Sequence, residues 1–247
     1  MQNKIHILLP VYNESKSIYD LLQNYSVFFK KNPRNHLIYI VNDNSNDDTE
    51  VYIQKAIYEF KNLSVEYIHN SINQGLAGIL KENIRNITLK SDDNDILITM
   101  DGDNTHAPFT ISEMLLKLSN GADVVIASRY CKSSQVIGLS SKRIFLSYGA
   151  MLLYKLRWNI KGVKDYTSNF RAYKISNIKE LLGDMQNDFI TETEFSAVGE
   201  LLKNLAKYNP VIEEVPMTLN YFNKKTASNM KLLRTIFHTL KILGLRK

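Results

Sequence analysis

Asp101 and Asp103 stand two residues apart at the end of an apolar run, ILITM at 96–100, and His106 follows three positions later. Carboxylates that close repel and raise each other's pKa, so the spacing calls for a cation between them. Gly102 lets the backbone take an unusual conformation and pass close to a ligand. Oxygen donors without thiolates suit Mg²⁺ or Mn²⁺, and Mg²⁺ takes one or two protein carboxylates together with substrate phosphates. The chemistry this points to is a diphosphate leaving group held by a metal, with Asp101 and Asp103 as its ligands. The competing use of the same residues is an Asp-Gly turn with a capping Asp, and D-x-D alone does not separate the two.

The elements around the pair give it meaning. Strand character appears in KIHILLP (4–10), HLIYIVND (36–43), LSVEYIH (63–69), DILITM (95–100) and ADVVIAS (122–128). Between them, 14–30 has helical spacing at Ile18, Leu21, Leu22, Tyr25 and Phe29. Ser45 to Asp48 caps a helix running to residue 60, and Asn73-Gln74-Gly75 turns into a helix near 76–88. Such alternation predicts an α/β fold with a mostly parallel central sheet flanked by helices. Ligands of such sheets bind beyond the carboxyl ends of the strands. Pro10-Val11-Tyr12-Asn13-Glu14, Asn42-Asp43, Asp101-Gly102-Asp103 and Ser128-Arg129-Tyr130 would then share one edge. A single Asp after a strand is commonly a helix cap; four polar sets converging on one edge argue for a site.

Several classes drop out. PVYNES after the first strand has no glycine, so a G-x-G-x-x-G dinucleotide loop is absent, as are a G-x-x-x-x-G-K-[ST] phosphate loop and a Cys/His zinc cluster. The only cysteine, Cys131, permits no intrachain disulfide, which fits a reducing compartment. The 247 residues suffice for one large α/β domain or two small ones. No signal peptide is visible, and no window approaches the roughly 20 apolar residues that span a bilayer. The net charge of +6 is unevenly placed: no acid lies between Asp123 and Asp165, where Arg129, Lys132, Lys142, Arg143, Lys155, Arg157, Lys161 and Lys164 occur, and none follows Glu214. A one-sided basic surface suits a polyanionic partner such as phosphate, acidic lipid or nucleic acid; an ordinary solvated surface is the alternative. Nucleic acid is disfavoured, because the basic stretches are interleaved with aliphatic residues and no recognisable module is present.

Longer segments carry a resemblance. LLPVYNES, YIVNDNSNDDT, NQGLAGIL, ITMDGDNTHAP, VVIASRY, DYTSNFRAY (165–173) and EEVPMTLNYFNKKTASNMK follow in order over nearly the whole chain. They are similar to the P-x-Y-N-E, V-D-D-x-S-x-D-x-T, N-x-G-x-x-x-A, M-D-A-D-x-x-H-P-P, G-S-R-Y, D-x-x-x-G-F-R-x-Y and E-V-P-x-x-F-x-x-R-x-x-G-x-S-K-M-K segments of family 2 glycosyltransferases. Among these the chain resembles the polyprenol-phosphate (dolichol-phosphate) hexosyltransferases. The resemblance implies a fold of the GT-A nucleotide-diphospho-sugar transferase type. Residues 1–222 would be the catalytic domain, and 223–247 a basic loop and C-terminal amphipathic helix at a membrane surface. It further implies an inverting, Mg²⁺- or Mn²⁺-dependent transfer of hexose from GDP-mannose or UDP-glucose to a polyprenyl phosphate.

By position, the resemblance assigns Pro10, Tyr12 and Glu14 to the nucleotide base and ribose, with Asp43 in the same pocket. Asp101 and Asp103 hold the metal and the sugar diphosphate. Arg129 and Arg143 face the acceptor phosphate, Arg171 supports the site, Lys224 joins the donor contacts, and Glu200 sits near the sugar. Asp103, Arg129, Arg143 and Glu200 are thus the expected catalytic set, and His106 supports the metal loop. Departures are Asn42 for the first Asp of D-D, Thr105 for a metal-binding Gln, His-Ala-Pro for His-Pro-Pro, Asn169 for Gly, and the late loop. There Lys224, Ala227 and Asn229 replace Arg, Gly and Lys, and Lys lacks the bidentate fork of Arg.

Sugar transfer passes through an oxocarbenium-like transition state as the diphosphate leaves. A lipid phosphate is already an anionic nucleophile at pH 7, so cationic positioning matters more than a base. A sugar hydroxyl would need a base, for which Glu200 and Glu194 are the candidates. In the tail, Leu233, Ile236, Phe237, Leu240 and Leu243 fall on one helical face and Lys231, Arg234, His238 and Lys241 on another, a pattern suited to an anionic membrane interface. An ordinary packed or oligomerising helix would show the same apolar face. Arg143 to Trp158 is a second amphipathic candidate, suited to the mouth for a polyprenyl chain. Attachment is expected to be peripheral, on the cytoplasmic face of a membrane, or through a membrane-anchoring partner protein. The alternatives are a family 2 enzyme acting on a glycan or glycolipid hydroxyl, and a catalytically inactive nucleotide-sugar-binding protein.

Overall fold

The protein was examined as a computed structural model, which describes residues 3–193 and 196–224. The first three strands are β1 (Ile5–Val11), β2 (His36–Asn42) and β3 (Val65–His69). They alternate with the helices α1 (Ile18–Lys31), α2 (Thr49–Glu59) and α3 (Gly75–Leu89). Next come β4 (Ile96–Thr99), α4 (Ile111–Ser119), β5 (Val124–Ser128), the short β6 (Gln135–Ile137) and the long α5 (Ser141–Trp158). The last elements are β7 (Arg171–Lys174), α6 (Ile175–Met185), α7 (Ser196–Leu205), β8 (Ile212–Pro216) and β9 (Thr218–Asn220). The five expected strands and three expected helices all form, with boundaries shifted by a few residues.

One sheet of seven strands runs β3-β2-β1-β4-β7-β5-β8, and β6 pairs with β9 in a second, two-stranded sheet. β1 to β4 are mutually parallel, β5 is parallel to β8, and β7 alone runs antiparallel to both its neighbours. In β1, Ile5, Ile7, Leu9 and Val11 face α1, α2 and α4, while Leu8 faces the layer of α3, α6 and α7. Burying each such side chain fully contributes about 1.5–3 kcal/mol. Both faces are covered, so the strands read as continuous apolar runs.

α1 shows how sequence sets an element here. Ile18, Leu21, Leu22, Tyr25, Phe28 and Phe29 recur at helical spacing and are all buried. Asp20 in the first turn and Lys30 and Lys31 in the last complement the helix dipole, and Pro33 stops the helix. The chain order changes direction between β1 and β4, which opens a crevice at their carboxyl ends.

Candidate active site

The loops leaving β1, β2 and β4 each turn through a left-handed asparagine: Asn13 (φ 55°), Asn44 (φ 59°) and Asn104 (φ 60°). Asn tolerates that conformation better than most residues, because its short side chain bonds locally. The first two loops are laced together. The Asn13 amide donates to Ser45 Oγ (2.9 Å), the Asn46 amide to Asn13 Oδ1 (2.9 Å), and the Glu14 amide to Thr49 Oγ1 (2.8 Å). The loop after β4 lies directly on the end of β1, and the Gly102 amide donates to the Pro10 carbonyl at 3.2 Å. A Cβ on Gly102 would meet Val11 Cγ2 at 2.7 Å and the Pro10 oxygen at 2.8 Å, so this approach requires glycine.

Asp101 and Asp103 emerge from that contact with distinct partners. Asp101 accepts from Asn169 Nδ2 at 3.0 Å and faces His106 Nε2 at 3.7 Å. Asp103 accepts from the Thr105 amide (3.1 Å) and hydroxyl (2.7 Å) through Oδ1, and from Lys224 Nζ (2.8 Å) through Oδ2. Lys224 also faces buried Glu14 at 3.4 Å. It arrives because β9 crosses the 101–106 loop: the Asn220 amide donates to the Thr105 carbonyl, and His106 bridges to Leu219. Burial would raise the Asp103 carboxyl, but Lys224, His106 and the Thr105 hydroxyl outweigh it and hold it below the usual carboxylate range. Burial works against the Lys224 ammonium, yet Asp103, Glu14 and Asp101 hold it above the usual lysine range. Tyr221 feels the charges of Arg129, Asp103, Asp101 and Lys224 together, its phenol being raised chiefly by burial. The arginine after β5 and the acidic pair after β4 therefore surround one ring.

Arg129 is fixed rather than mobile. Its Nε donates to Asp165 Oδ2 at 2.8 Å and its Nη2 to Asp165 Oδ1 at 2.6 Å, the fork-on-carboxylate geometry. Asp165 is fully buried and also accepts from the Thr167 and Ser168 amides. Burial would raise its carboxyl; the Arg129 guanidinium and these donors hold it below the usual range. Nη1 of Arg129 makes no hydrogen bond among the described residues. Arg143, half-buried on α5, lies one turn before Ser147, whose carbonyl accepts from Tyr130 Oη at 2.9 Å. Tyr12 is 37% exposed at the rim.

Three further expected site residues make hydrogen bonds within the chain. Arg171 is wholly buried, and its Nη1 and Nη2 donate to the Val198 and Tyr166 carbonyls at 2.7 and 2.8 Å, which supports the 165–168 turn from below. Glu200 accepts from the Thr191 amide and hydroxyl and the Glu192 amide at 2.6–2.7 Å, so its carboxylate anchors a loop. Asp43 accepts from Asn70 Nδ2 and the Gln74 and Gly75 amides at 2.8–2.9 Å, which pins the turn into α3 and engages both its oxygens. Sequence reasoning overlooked Asn169, which orients Asp101, and Asp165, which orients Arg129; each sits in DYTSNFRAY, where only the departure at 169 was a signal. Glu194, the 225–231 part of the late loop and the amphipathic tail lie outside the described residues.

A cavity of about 880 Å³ lies at the amino ends of the strands, lined by Ile5, Arg34, Ile96, Asp123 and Lys174, away from these loops. A smaller one, about 440 Å³, adjoins the Asp43-pinned turn and is lined by Gln74, Gly75, Lys81, Ile190, Glu192 and Thr193.

A family model described as glycosyl transferase family 2 matches residues 6–182. The chain belongs to that family. Its relatives include a dolichol-phosphate mannosyltransferase of Pyrococcus furiosus, 28% identical over 240 residues that make up 96% of this chain and 62% of the relative. An undecaprenyl-phosphate 4-deoxy-4-formamido-L-arabinose transferase of Klebsiella pneumoniae is 25% identical over 72% of this chain and 51% of its own. The chain thus spans less than two thirds of the length of both. Glucosyl-3-phosphoglycerate synthase of Mycobacterium tuberculosis, crystallised with Mn²⁺ and UDP, superposes with a TM-score of 0.66 at 17% identity, over 99% of this chain and 81% of that one. The fold is accordingly GT-A. Among the described residues no three His, Cys, Asp or Glu side chains gather around one metal position. The donor set still fits a family 2 metal, which needs only one or two carboxylates when substrate phosphates complete its shell. Asp101 and Asp103 would supply these, and the buried His106 Nδ1 has no hydrogen-bond partner among the described residues.

Proposed function

We propose that this chain is an inverting glycosyltransferase that moves a hexose from a nucleotide diphosphate sugar, GDP-mannose or UDP-glucose, to a polyprenyl phosphate. The observation that carries the reading is Arg129, held edge-on by Asp165 beside the acidic pair, at the foot of a helix with an uncovered apolar face. On α5, Phe145 is 78% exposed, Tyr148 51%, Leu152 53% and Leu156 74%. That face, in an acid-free stretch bearing Arg143, Lys155 and Arg157, suits an anionic membrane surface and the hydrocarbon of a lipid acceptor. No helix of the described residues is long and apolar enough to cross a membrane.

Pro10, Tyr12 and Glu14 bind the base and ribose, and Asp101 and Asp103 hold Mg²⁺ or Mn²⁺ with the diphosphate. A bound divalent ion neutralises charge growing on the leaving group. Arg129 and Arg143 place the acceptor phosphate against the anomeric carbon. A phosphate oxygen forms the new bond from the face opposite the departing diphosphate, with inversion, and no proton need move. Residues 223–247 extend the catalytic domain of 1–222 as a basic membrane-surface segment, on the cytoplasmic face or beside an anchoring partner. A hydroxyl acceptor is less well supported, because Glu200 is engaged by three loop donors.

The test is transfer of labelled sugar from GDP- and UDP-sugars to polyprenyl phosphate in detergent, with Mg²⁺, Mn²⁺ or chelator, for the wild type and Asp103→Ala. Metal-dependent product that disappears in the variant is expected. Product on a glycan acceptor alone, or nucleotide-sugar binding without transfer, would overturn the reading.

A further inference from the structure

Lys224 occupies an unusual place for a surface-loop lysine. Its Nζ lies 2.8 Å from Asp103 Oδ2 and 3.4 Å from Glu14 Oε1, and its side chain is only 15% exposed. Asp101 adds to the same field. An ammonium so placed already answers the repulsion among the acids that a divalent ion would otherwise relieve. The Asp103 oxygen it holds is the one left over, because Oδ1 is taken by the Thr105 amide and hydroxyl. A metal that uses Asp103 must take Oδ2 from Lys224.

We propose that Lys224 is a tethered cation that plugs the metal position, so that seating of the ammonium and of the divalent ion are mutually exclusive. The inference rests on the metal-dependent reading above. The mechanical coupling is already in the fold. β9 and the 221–223 turn carry Lys224 across the metal loop, and the Asn220 amide is bonded to the Thr105 carbonyl. Arrival of the ion expels the ammonium, while the β9 contact stays in place. In the free chain the Lys224 ammonium thus sits among the acids in the place of the ion.

The experiment is Mn²⁺ binding by electron paramagnetic resonance on the full chain, with the metal alone as probe. The proteins are the wild type, Lys224→Met, Asp103→Asn and the charge control Lys117→Met, whose lysine pairs with Glu213 far from the acids. Lys224→Met should bind Mn²⁺ at least about tenfold more tightly than the wild type, because the cation that competes for Asp103 Oδ2 is gone. Lys117→Met should match the wild type, and Asp103→Asn should lose the site. In parallel, acetylation of wild-type Lys224 by an amine-reactive ester, read by mass spectrometry, should rise severalfold when Mn²⁺ is added, while Lys117 stays constant. Wild-type affinity in Lys224→Met with unchanged labelling of Lys224 would overturn the plug and leave the transferase reading standing. No saturable Mn²⁺ binding in any of the four proteins would overturn the plug together with the metal ligands assigned to Asp101 and Asp103.

Discussion

Replacing Asp165 by Asn removes the charge that holds Arg129. The carboxylate is completely buried and the Arg129 side chain is 19% exposed, so water cannot take over the lost contact. Removing one partner of a buried pair leaves an uncompensated charge and costs about 3–5 kcal/mol. For a chain of this size that lowers Tm by roughly 10 °C, at about 2–4 °C per kcal/mol. Urea denaturation followed by circular dichroism measures the cost directly. Arg129→Met with Asp165→Leu removes both charges and should recover at least ~2 kcal/mol relative to the sum of the single changes. Salt should matter little, because a buried pair is weakly screened. The pH dependence has a defined sign. The folded Asp165 carboxyl lies below its ordinary 3.8, so its contribution is complete above that value and is lost as pH falls through the folded value. Asp165→Asn within about 1 kcal/mol of the wild type, or an additive cycle, would refute the claim that this pair fixes the arginine.

Three further outcomes are expected. Gly102→Ala should destabilise by about 1–3 kcal/mol in denaturant and weaken nucleotide-sugar binding in calorimetry, because its Cβ strikes the Pro10 backbone. Buried His6, bonded to Tyr39, Ser91 and Asp95, has its imidazole pKa lowered below 6.5, chiefly by burial. The unfolded chain therefore binds more protons just below pH 6.5, and stability should fall with pH there by at most about 1.4 kcal/mol per unit, a slope that His6→Gln flattens in pH-dependent urea titrations. Phe145→Asp with Leu156→Asp should abolish co-sedimentation with vesicles rich in anionic lipid while leaving the melting temperature within a few degrees, since both side chains are largely exposed.

Most of the first five strands were legible because a strand covered on both faces is largely apolar, as HLIYIVN and VVIAS are, whereas the edge strand VEYIH mixes apolar and polar residues. β7 was not, because RAYK is short and begins with an arginine, a residue that patterning assigns to solvent. Arg171 is tolerated there only because the Val198 and Tyr166 carbonyls receive its guanidinium, partners that sequence spacing does not reveal. β8, IEEVP, hides for a related reason: as a sheet edge it carries Glu213 and Glu214, and Glu214 Oε1 accepts the Lys164 and Asp165 amides. At the site, the acidic pair and Arg129 were readable from their places after strands. The loop partners of Asp43 and Glu200 were not, since the residues that donate to a carboxylate across a turn cannot be read from its spacing.

The reversed strand β7 also dictates an order of events as the chain leaves the ribosome. β1 to β4 can pair with one another once residue 99 has emerged, since their partners all lie upstream. β5 cannot join them, because its place beside β4 is taken by a strand made more than forty residues later, after the whole of α5. Until Arg171–Lys174 slides between them, the Asp101 loop and the Arg129 loop belong to separate half-sheets with no fixed distance. The same stretch delivers Asn169 to Asp101 and Asp165 to Arg129. Joining of the two half-sheets and delivery of Asn169 and Asp165 to the site are therefore a single late step, and a nascent chain that stalls before it exposes a half-sheet edge.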